Sequence, residues 1–119
     1  MLYNIRMDKF NALADPTRRK IIEMLANKGP LSATDISDKF EVSPSAISQH
    51  LKALREANLV RMEKRSQQRI YQINPDAMLE LEEWPRQMTQ LWNQRFDVLD
   101  TLLQEEKMKI LQIEKRKDK

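Results

Sequence analysis

The sequence contains no cysteine and only one glycine, and both shortages restrict what the chain can be. Without cysteine it has neither disulfides nor thiolate ligands for a metal. One glycine and five prolines allow few tight loops, which favours a mainly helical protein. The sequence also lacks an apolar run of 18 residues and an apolar stretch behind a basic N-terminus. We therefore expect no membrane span, no signal peptide and a cytoplasmic location.

The residue patterns that most enzymes need are also missing. The chain has a single histidine, His50, and no glycine-rich loop that could cradle a phosphate. Glu82 and Glu83 are adjacent, which places them on different sides of a helix and not in a catalytic dyad. We expect no enzymatic activity and no cofactor, and we interpret His50 as a half-buried packing residue.

Charge is distributed unevenly along the chain, although the net charge is only +3. Residues 50–75 carry a net +4, residues 76–106 carry −6, and residues 107–119 carry +4. A charge run is usually a solvated face, but the first basic block coincides with the motif described next. That coincidence favours a surface turned towards phosphate.

Residues 32–73 read SATDISDKFEVSPSAISQHLKALREANLVRMEKRSQQRIYQI. The pattern predicts two short helices separated by a turn, then two strands joined by a basic tip without glycine. Ser32 and Ser43 precede the two helices and are expected to cap them. Helix, turn, helix and hairpin in this order predict a winged helix-turn-helix, so the fold class is mainly α with a small β-hairpin.

The residues before this motif also have helical spacing. A helix is expected near residues 4–13, with Ile5, Phe10 and Leu13 facing inward. Asp15 is expected to cap the next helix. We interpret Arg18 and the two basic residues that follow it as a solvated face, with phosphate contact as the alternative.

The second helix of the motif has two chemically different sides. Ile47, Leu51 and Leu54 recur at steps of four and three, which predicts a buried side. Small polar and basic residues lie opposite or on the flank of that side, where a recognition helix meets base edges. Glutamine can pair with adenine, serine can bond either base type, and lysine can neutralise phosphate. These residues are Ser45, Ser48, Gln49 and Lys52.

A long helical pattern follows Asn74 and is interrupted by Pro85. Either a helix ends at Trp84 and another begins, or one helix kinks there. Beyond Pro85 the apolar stripe is too long for one small domain to bury, and a second copy of the chain is the simplest cover. The sequence therefore predicts a homodimer.

Three fragments, ADPTRRKII, VSPSAISQHLKALREANLV and RIYQINP, resemble the ArsR family of small winged-helix repressors. The resemblance covers roughly residues 10–75. It implies a DNA-binding domain over residues 1–75, of which 1–13 also dimerise, and a C-terminal dimerisation helix with a basic tail over 76–119. The implied DNA-binding residues are Ser45, Ser48, Gln49, Lys52, Arg55, Lys64, Arg65, Gln67 and Arg69. The implied dimer interface contains Ile5, Phe10, Met88, Leu91, Trp92, Phe96, Leu99 and Leu103.

The sequence departs from the family pattern at two places. Many members sense metals through cysteine in the first helix of the motif, or through aspartate, histidine and glutamate on the last helix. This chain has no cysteine, and its last helix has no histidine. Pro44 stands where the family often has a polar residue, so base reading from that position is not expected. The sequence thus predicts a homodimeric repressor that binds a roughly palindromic operator in double-stranded DNA and does not respond to a metal. An effector, if the protein has one, is not identified by the sequence. The alternatives are a winged-helix module that binds protein without a specific DNA site, and an RNA-binding winged domain.

Overall fold

The computed structural model describes residues 8–117 and confirms the expected order of helix, turn, helix and hairpin. No helix in this range is both long and apolar enough to cross a membrane. The elements are α1 (Lys9–Ala14), α2 (Pro16–Lys28), β1 (Leu31–Ser32), α3 (Ala33–Ser37), α4 (Pro44–Glu56), β2 (Val60–Arg65), β3 (Gln68–Ile73) and α5 (Pro75–Lys117).

Contacts divide the chain into two units, one ending at Leu81 and the other beginning at Glu82. The boundary lies inside α5. Pro85 also lies inside this helix, so this part of the chain forms one helical element. The sequence had left open whether a helix ends at Trp84. The first unit contains the sheet and the hydrophobic core.

The core of the first unit forms around one side of α4. Ile47, Leu51 and Leu54 are at most 1% exposed, and they belong to one cluster with the fully buried Ile21 and Ile36. Each such side chain stabilises the fold by about 1.5–3 kcal/mol relative to an exposed one. The buried side predicted for this helix is confirmed.

Short polar side chains begin three of the helices, as the sequence indicates. Asp15, Ser32 and Ser43 each accept a hydrogen bond, 3.1 Å long, from the backbone N–H three residues later. A cap of this kind satisfies an N–H group that the helix leaves unpaired and contributes about 1 kcal/mol. The starts of α2, α3 and α4 are therefore set locally.

Arg18 connects α2 to its neighbours, so its interpretation as part of a solvated face is wrong. Its Nε donates to the carbonyl oxygen of Ala12 at 2.6 Å, and its Nη2 donates to that of Asn11 at 3.4 Å. Its Nη1 lies 3.4 Å from Nδ1 of His50, which is half-buried as expected. A guanidinium carries five donors in a fixed fork, which is why one side chain can join the end of α1 to α4.

The cap residue Asp15 lies beside the same pair of side chains. Burial raises the pKa of its carboxyl group, but the backbone N–H groups of Arg18 and Thr17 and the charges of His50 and Arg18 together lower it by more. The pKa of Asp15 consequently falls below its ordinary value of 3.8. This contribution to stability is present at neutral pH and is lost only as the pH falls through the lowered pKa.

The sheet has three antiparallel strands in the order β1-β3-β2, whereas the sequence predicted only the hairpin. In the additional strand, Leu31 lies opposite Tyr71 and Ser32 lies opposite Ile70. Two residues are too few to show an alternating pattern, so the sequence carries no signal for this strand. Strand β1 forms only because its two residues pair with the edge of β3.

Phe10 does not face inward as predicted, because it is 52% exposed. Helix α1 buries Ala12 instead. Leu13 packs against the core, as predicted. Asp8 caps this helix, which begins at Lys9. The third residue predicted to face inward, Ile5, lies outside the described residues.

The end of α4 determines how the chain enters the hairpin of β2 and β3, which we call the wing. Asn58 has a φ of 60°, and its N–H donates to the carbonyl of Arg55 at 2.9 Å. The N–H of Leu59 donates to the carbonyl of Leu54 at 3.0 Å, and both leucines are fully buried. These two bonds and the apolar contact form a Schellman motif, in which asparagine replaces the usual glycine.

We predict that Asn58→Ala lowers the free energy of unfolding by about 1 kcal/mol, because a Cβ without a short polar group disfavours this left-handed conformation. Asn58→Gly is the matched control and should leave stability unchanged or slightly higher. Urea unfolding at one protein concentration measures both variants. Equal stability of the alanine variant and the unsubstituted protein would show that the turn does not constrain this residue.

Candidate nucleic-acid interface

Helix α4 presents a polar face to solvent because its opposite side is in the core. We call this the recognition face, and its members are exposed hydroxyl, amide and cationic side chains. Pro44 occupies the first position of the helix and is also exposed. The face combines groups that bond base edges with groups that neutralise phosphate. Its members are Ser45, Ser48, Gln49, Lys52 and Arg55.

The strand register divides the cations of the wing between two faces. Lys64 lies opposite Arg69, and Arg65 lies opposite Gln68. Opposite residues share a face of a sheet, and successive residues alternate between faces. Lys64 and Arg69 therefore lie on the face that carries the buried Tyr71, and Arg65 lies on the other. The structure brings together only two of the three wing cations predicted to bind DNA.

Lys64 and Arg69 form a pair of like charges in direct cross-strand register, which we call the cationic pair. Both are exposed, and no carboxylate within residues 8–117 forms an ion pair with either. Like charges placed directly opposite each other destabilise a hairpin. A phosphate oxygen placed between them would relieve that repulsion, so the pair suits an anionic ligand.

Arg65 already has an anionic partner within the wing. Its Nη2 donates to Oε2 of Glu63 at 3.3 Å, and both side chains are exposed. An exposed ion pair of this kind contributes little to stability. Its greater effect is on charge, because the carboxylate offsets one of the cations available for phosphate.

The tip of the wing is a two-residue loop of Ser66 and Gln67. Ser66 has a φ of 57°, whereas Gln67 is not in the positive-φ region. A positive φ at the first loop position alone is the sign pattern of a type II′ turn, which usually has glycine there. The turn thus forms without glycine and leaves Gln67 exposed at the tip.

A recognition face on the second helix of a helix-turn-helix, followed by a cationic hairpin, defines a winged helix-turn-helix transcriptional regulator. The family profile described as bacterial regulatory protein, ArsR family, matches residues 15–62. The chain is 40% identical over 85 residues to an HTH-type transcriptional regulator of Mycobacterium tuberculosis. That alignment covers 67% of this chain and 78% of the relative. The chain belongs to the ArsR family.

Two further similarities agree with this assignment. The transcriptional repressor SdpR of Bacillus subtilis is 35% identical over 75 residues, covering 63% of this chain and 82% of that protein. An ArsR-like transcriptional regulator from Rhodococcus superposes with a TM-score of 0.69 at 26% identity. The superposition covers 78% of this chain and 87% of that structure. Sequence and fold therefore support a DNA-binding regulator and not an enzyme.

Sequence reasoning did not find the ion pair of Glu63 or the division of the wing into two faces. The sequence did contain a signal for the two faces, because the side chains of residues 63, 64 and 65 point to alternate faces of any strand. The missing information was the register, which decides that Lys64 meets Arg69. A shift of one residue would have placed Arg65 there instead.

We predict that Glu63→Gln tightens binding to duplex DNA about two- to fivefold at low salt, because it removes a negative charge and frees Arg65. Fluorescence anisotropy with a labelled duplex measures the change. Glu23→Gln, an exposed residue of α2, changes the net charge equally outside the wing and is the matched control. An equal gain in both variants would mean that only net charge matters, and no gain would mean that Arg65 is not restrained.

Proposed function

We propose that this regulator is a homodimeric repressor that binds a roughly palindromic operator in double-stranded DNA and acts in the cytoplasm. The observation that carries the proposal is the two-sided α4, with Leu51 and Leu54 in the core and Gln49 exposed at the opposite side. The repressor name of a Bacillus subtilis relative supports repression. Residues 1–75 would form the DNA-binding domain, and residues 76–119 the dimerisation segment.

Different residues would serve different parts of the DNA contact. Hydrogen bonds from Ser45, Ser48 and Gln49 to base edges would select the sequence. Cations would bind the backbone and supply affinity that does not depend on sequence. The backbone-binding residues would be Lys52, Arg55, Lys64, Arg65 and Arg69, with Gln67 at the tip of the wing.

Dimerisation would involve α1 and α5. The predicted interface residues of α5 are 38–64% exposed in the single chain, and Phe10 is 52% exposed. A two-fold axis would repeat the recognition face about one DNA turn away, which is why the operator would be roughly palindromic. The residues of α5 are Met88, Leu91, Trp92, Phe96, Leu99 and Leu103.

The signal that releases the repressor from DNA would be something other than a metal bound by thiolate or imidazole ligands. The chain has no cysteine and one histidine, and His50 lies beside the guanidinium of Arg18. In residues 8–117 no group of three or more potential ligands is placed to hold a metal ion. An organic effector, a protein partner or the amount of the regulator itself would then control release.

Operator binding should fall steeply with salt, with a log–log slope of about −5 or steeper, because several cations displace counterions from phosphate. A preference for one sequence should persist at physiological salt. The measurement is a series of titrations with fragments selected from the source genome and with random duplexes. Added zinc, or a chelator, should leave the operator affinity unchanged.

A flat salt response or equal binding to every duplex would overturn the repressor proposal and favour a protein-binding winged module. Preference for single-stranded RNA over duplex DNA would favour the RNA-binding alternative. Tighter or weaker operator binding with zinc would overturn the metal-independent part alone.

Gln49→Ala should relax the base preference while Arg69→Ala weakens binding to all duplexes alike, because one side chain bonds bases and the other binds phosphate. Loss of the bidentate contact of a glutamine should cost about 1–3 kcal/mol against the preferred base. Competition among operators with single base changes measures both variants. A uniform effect of Gln49→Ala across these operators would contradict the assigned face.

A further inference from the structure

Arg18 is a half-buried cation that lies outside the proposed DNA contacts. Its guanidinium donates to the carbonyl oxygens of Ala12 and Asn11 at 2.6 and 3.4 Å. Both acceptors lie in the last turn of α1, where a helix leaves its carbonyl groups unpaired. Its Nη1 also lies 3.4 Å from Nδ1 of His50, a side chain of α4. One guanidinium therefore spans two helices.

The contact between Arg18 and His50 has a defined direction. A guanidinium has only donors, so Nδ1 of His50 accepts, and the neutral ring then carries its proton on Nε2. His50 directly follows Gln49 in α4, about 100° further round the helix. Arg18 consequently holds α4 beside the recognition face, one residue from the glutamine proposed to read bases.

The backbone of Arg18 is fixed as well. Its N–H donates to Oδ1 of the cap residue Asp15 at 3.1 Å. The side chain thus extends from a fixed point at the start of α2. The donors of a guanidinium also have fixed directions in one plane, unlike those of a freely rotating ammonium group. The side chain can therefore set both the distance and the angle between α1 and α4.

Helix α1 is also bound to the start of α5. Nζ of Lys9 lies 2.9 Å from Oε2 of Glu80, and the side chain of Lys9 is only 24% exposed. Both α1 and α5 belong to the proposed dimer interface. Polar contacts thus connect the proposed dimer elements to α1, and Arg18 connects α1 to α4.

We propose that Arg18 is a positioning residue for α4, and that it sets the separation of operator half-sites that the dimer accepts. This inference rests on the proposed function. Arg18 acts through His50 and through the end of α1, without touching DNA. A two-fold axis repeats any displacement of α4 in the second copy. Such a displacement would change the fit to two half-sites more than the fit to one.

Competition among operators with different half-site separations tests this role. One inserted base pair rotates a half-site by about 35° relative to the other. The unsubstituted protein should prefer its natural operator over one with an inserted or deleted base pair by about tenfold or more, as for a mismatched base pair. In Arg18→Met this preference should fall to about threefold or less, while discrimination among base changes within a half-site persists.

Arg19→Met is the matched control. Arg19 is the next residue of α2, is exposed, and loses the same charge on substitution. This variant should retain the preference for one separation. A merely structural Arg18 would behave differently, because a smaller folded fraction weakens binding to all operators alike. Circular dichroism of every variant checks that the helices are retained.

His50 provides a second test that leaves Arg18 in place, and it decides alone if Arg18→Met does not fold. His50→Ala removes the acceptor on α4 and should broaden the accepted separations. His50→Asn keeps an acceptor at the δ position and should retain the preference. Since the chain has one histidine, its ring nitrogen resonances are unambiguous in NMR spectra. Nδ1 should shift in Arg18→Met and stay in place in Arg19→Met.

The outcomes separate this inference from the proposed function. An unchanged preference in Arg18→Met and His50→Ala would overturn the inference and leave the repressor standing. An equal loss of preference in Arg19→Met, or equal behaviour of His50→Asn and His50→Ala, would overturn it in the same way. The lack of any preferred operator in the unsubstituted protein would instead overturn the proposed function.

Discussion

The burial of one side of α4 is the constraint on which the remaining structure depends. Ile47, Leu51 and Leu54 bind this helix to α2 and α3 and thereby fix its rotation about its own axis. A helix held by one side must expose the other, so packing in the core decides which side chains would meet DNA. The recognition face needs no stabilising contacts of its own. Substitutions on this face could therefore change the operator sequence that the protein prefers, at little cost to the stability of the fold.

The wing depends on the same helix through its last turn. The left-handed Asn58 ends α4, and the buried Leu59 directs the chain into β2. The strand register then gives the two faces of the wing different roles. The cationic pair of Lys64 and Arg69 is unfavourable in the free protein and would be relieved by phosphate, whereas Glu63 already neutralises Arg65. Part of the favourable charge is thus balanced within the protein, which would moderate DNA affinity.

Most helices could be predicted because each carries its own signals. Asp15, Ser32 and Ser43 mark helix starts, and the spacing of apolar residues in α4 indicates its buried side. These are interactions between residues three or four apart, so a linear sequence contains them. The elements that escaped prediction depend on distant partners. Strand β1 exists only beside β3, and the hydrogen bonds of Arg18 extend to Asn11 and Ala12 of α1 and to His50 of α4.

The sequence by itself determined the class of fold, the family resemblance, the two sides of α4 and the basic character of the wing. Tertiary structure alone decided that Phe10 is exposed while Ala12 is buried. It also decided that Arg65 and Lys64 lie on opposite faces, with Arg65 paired to Glu63 and Lys64 opposite Arg69. The physical reason is the distance along the chain between the residues that interact. Caps and helical stripes arise from neighbours in the chain, whereas strand register and the choice of ion pair arise from residues that only folding brings together.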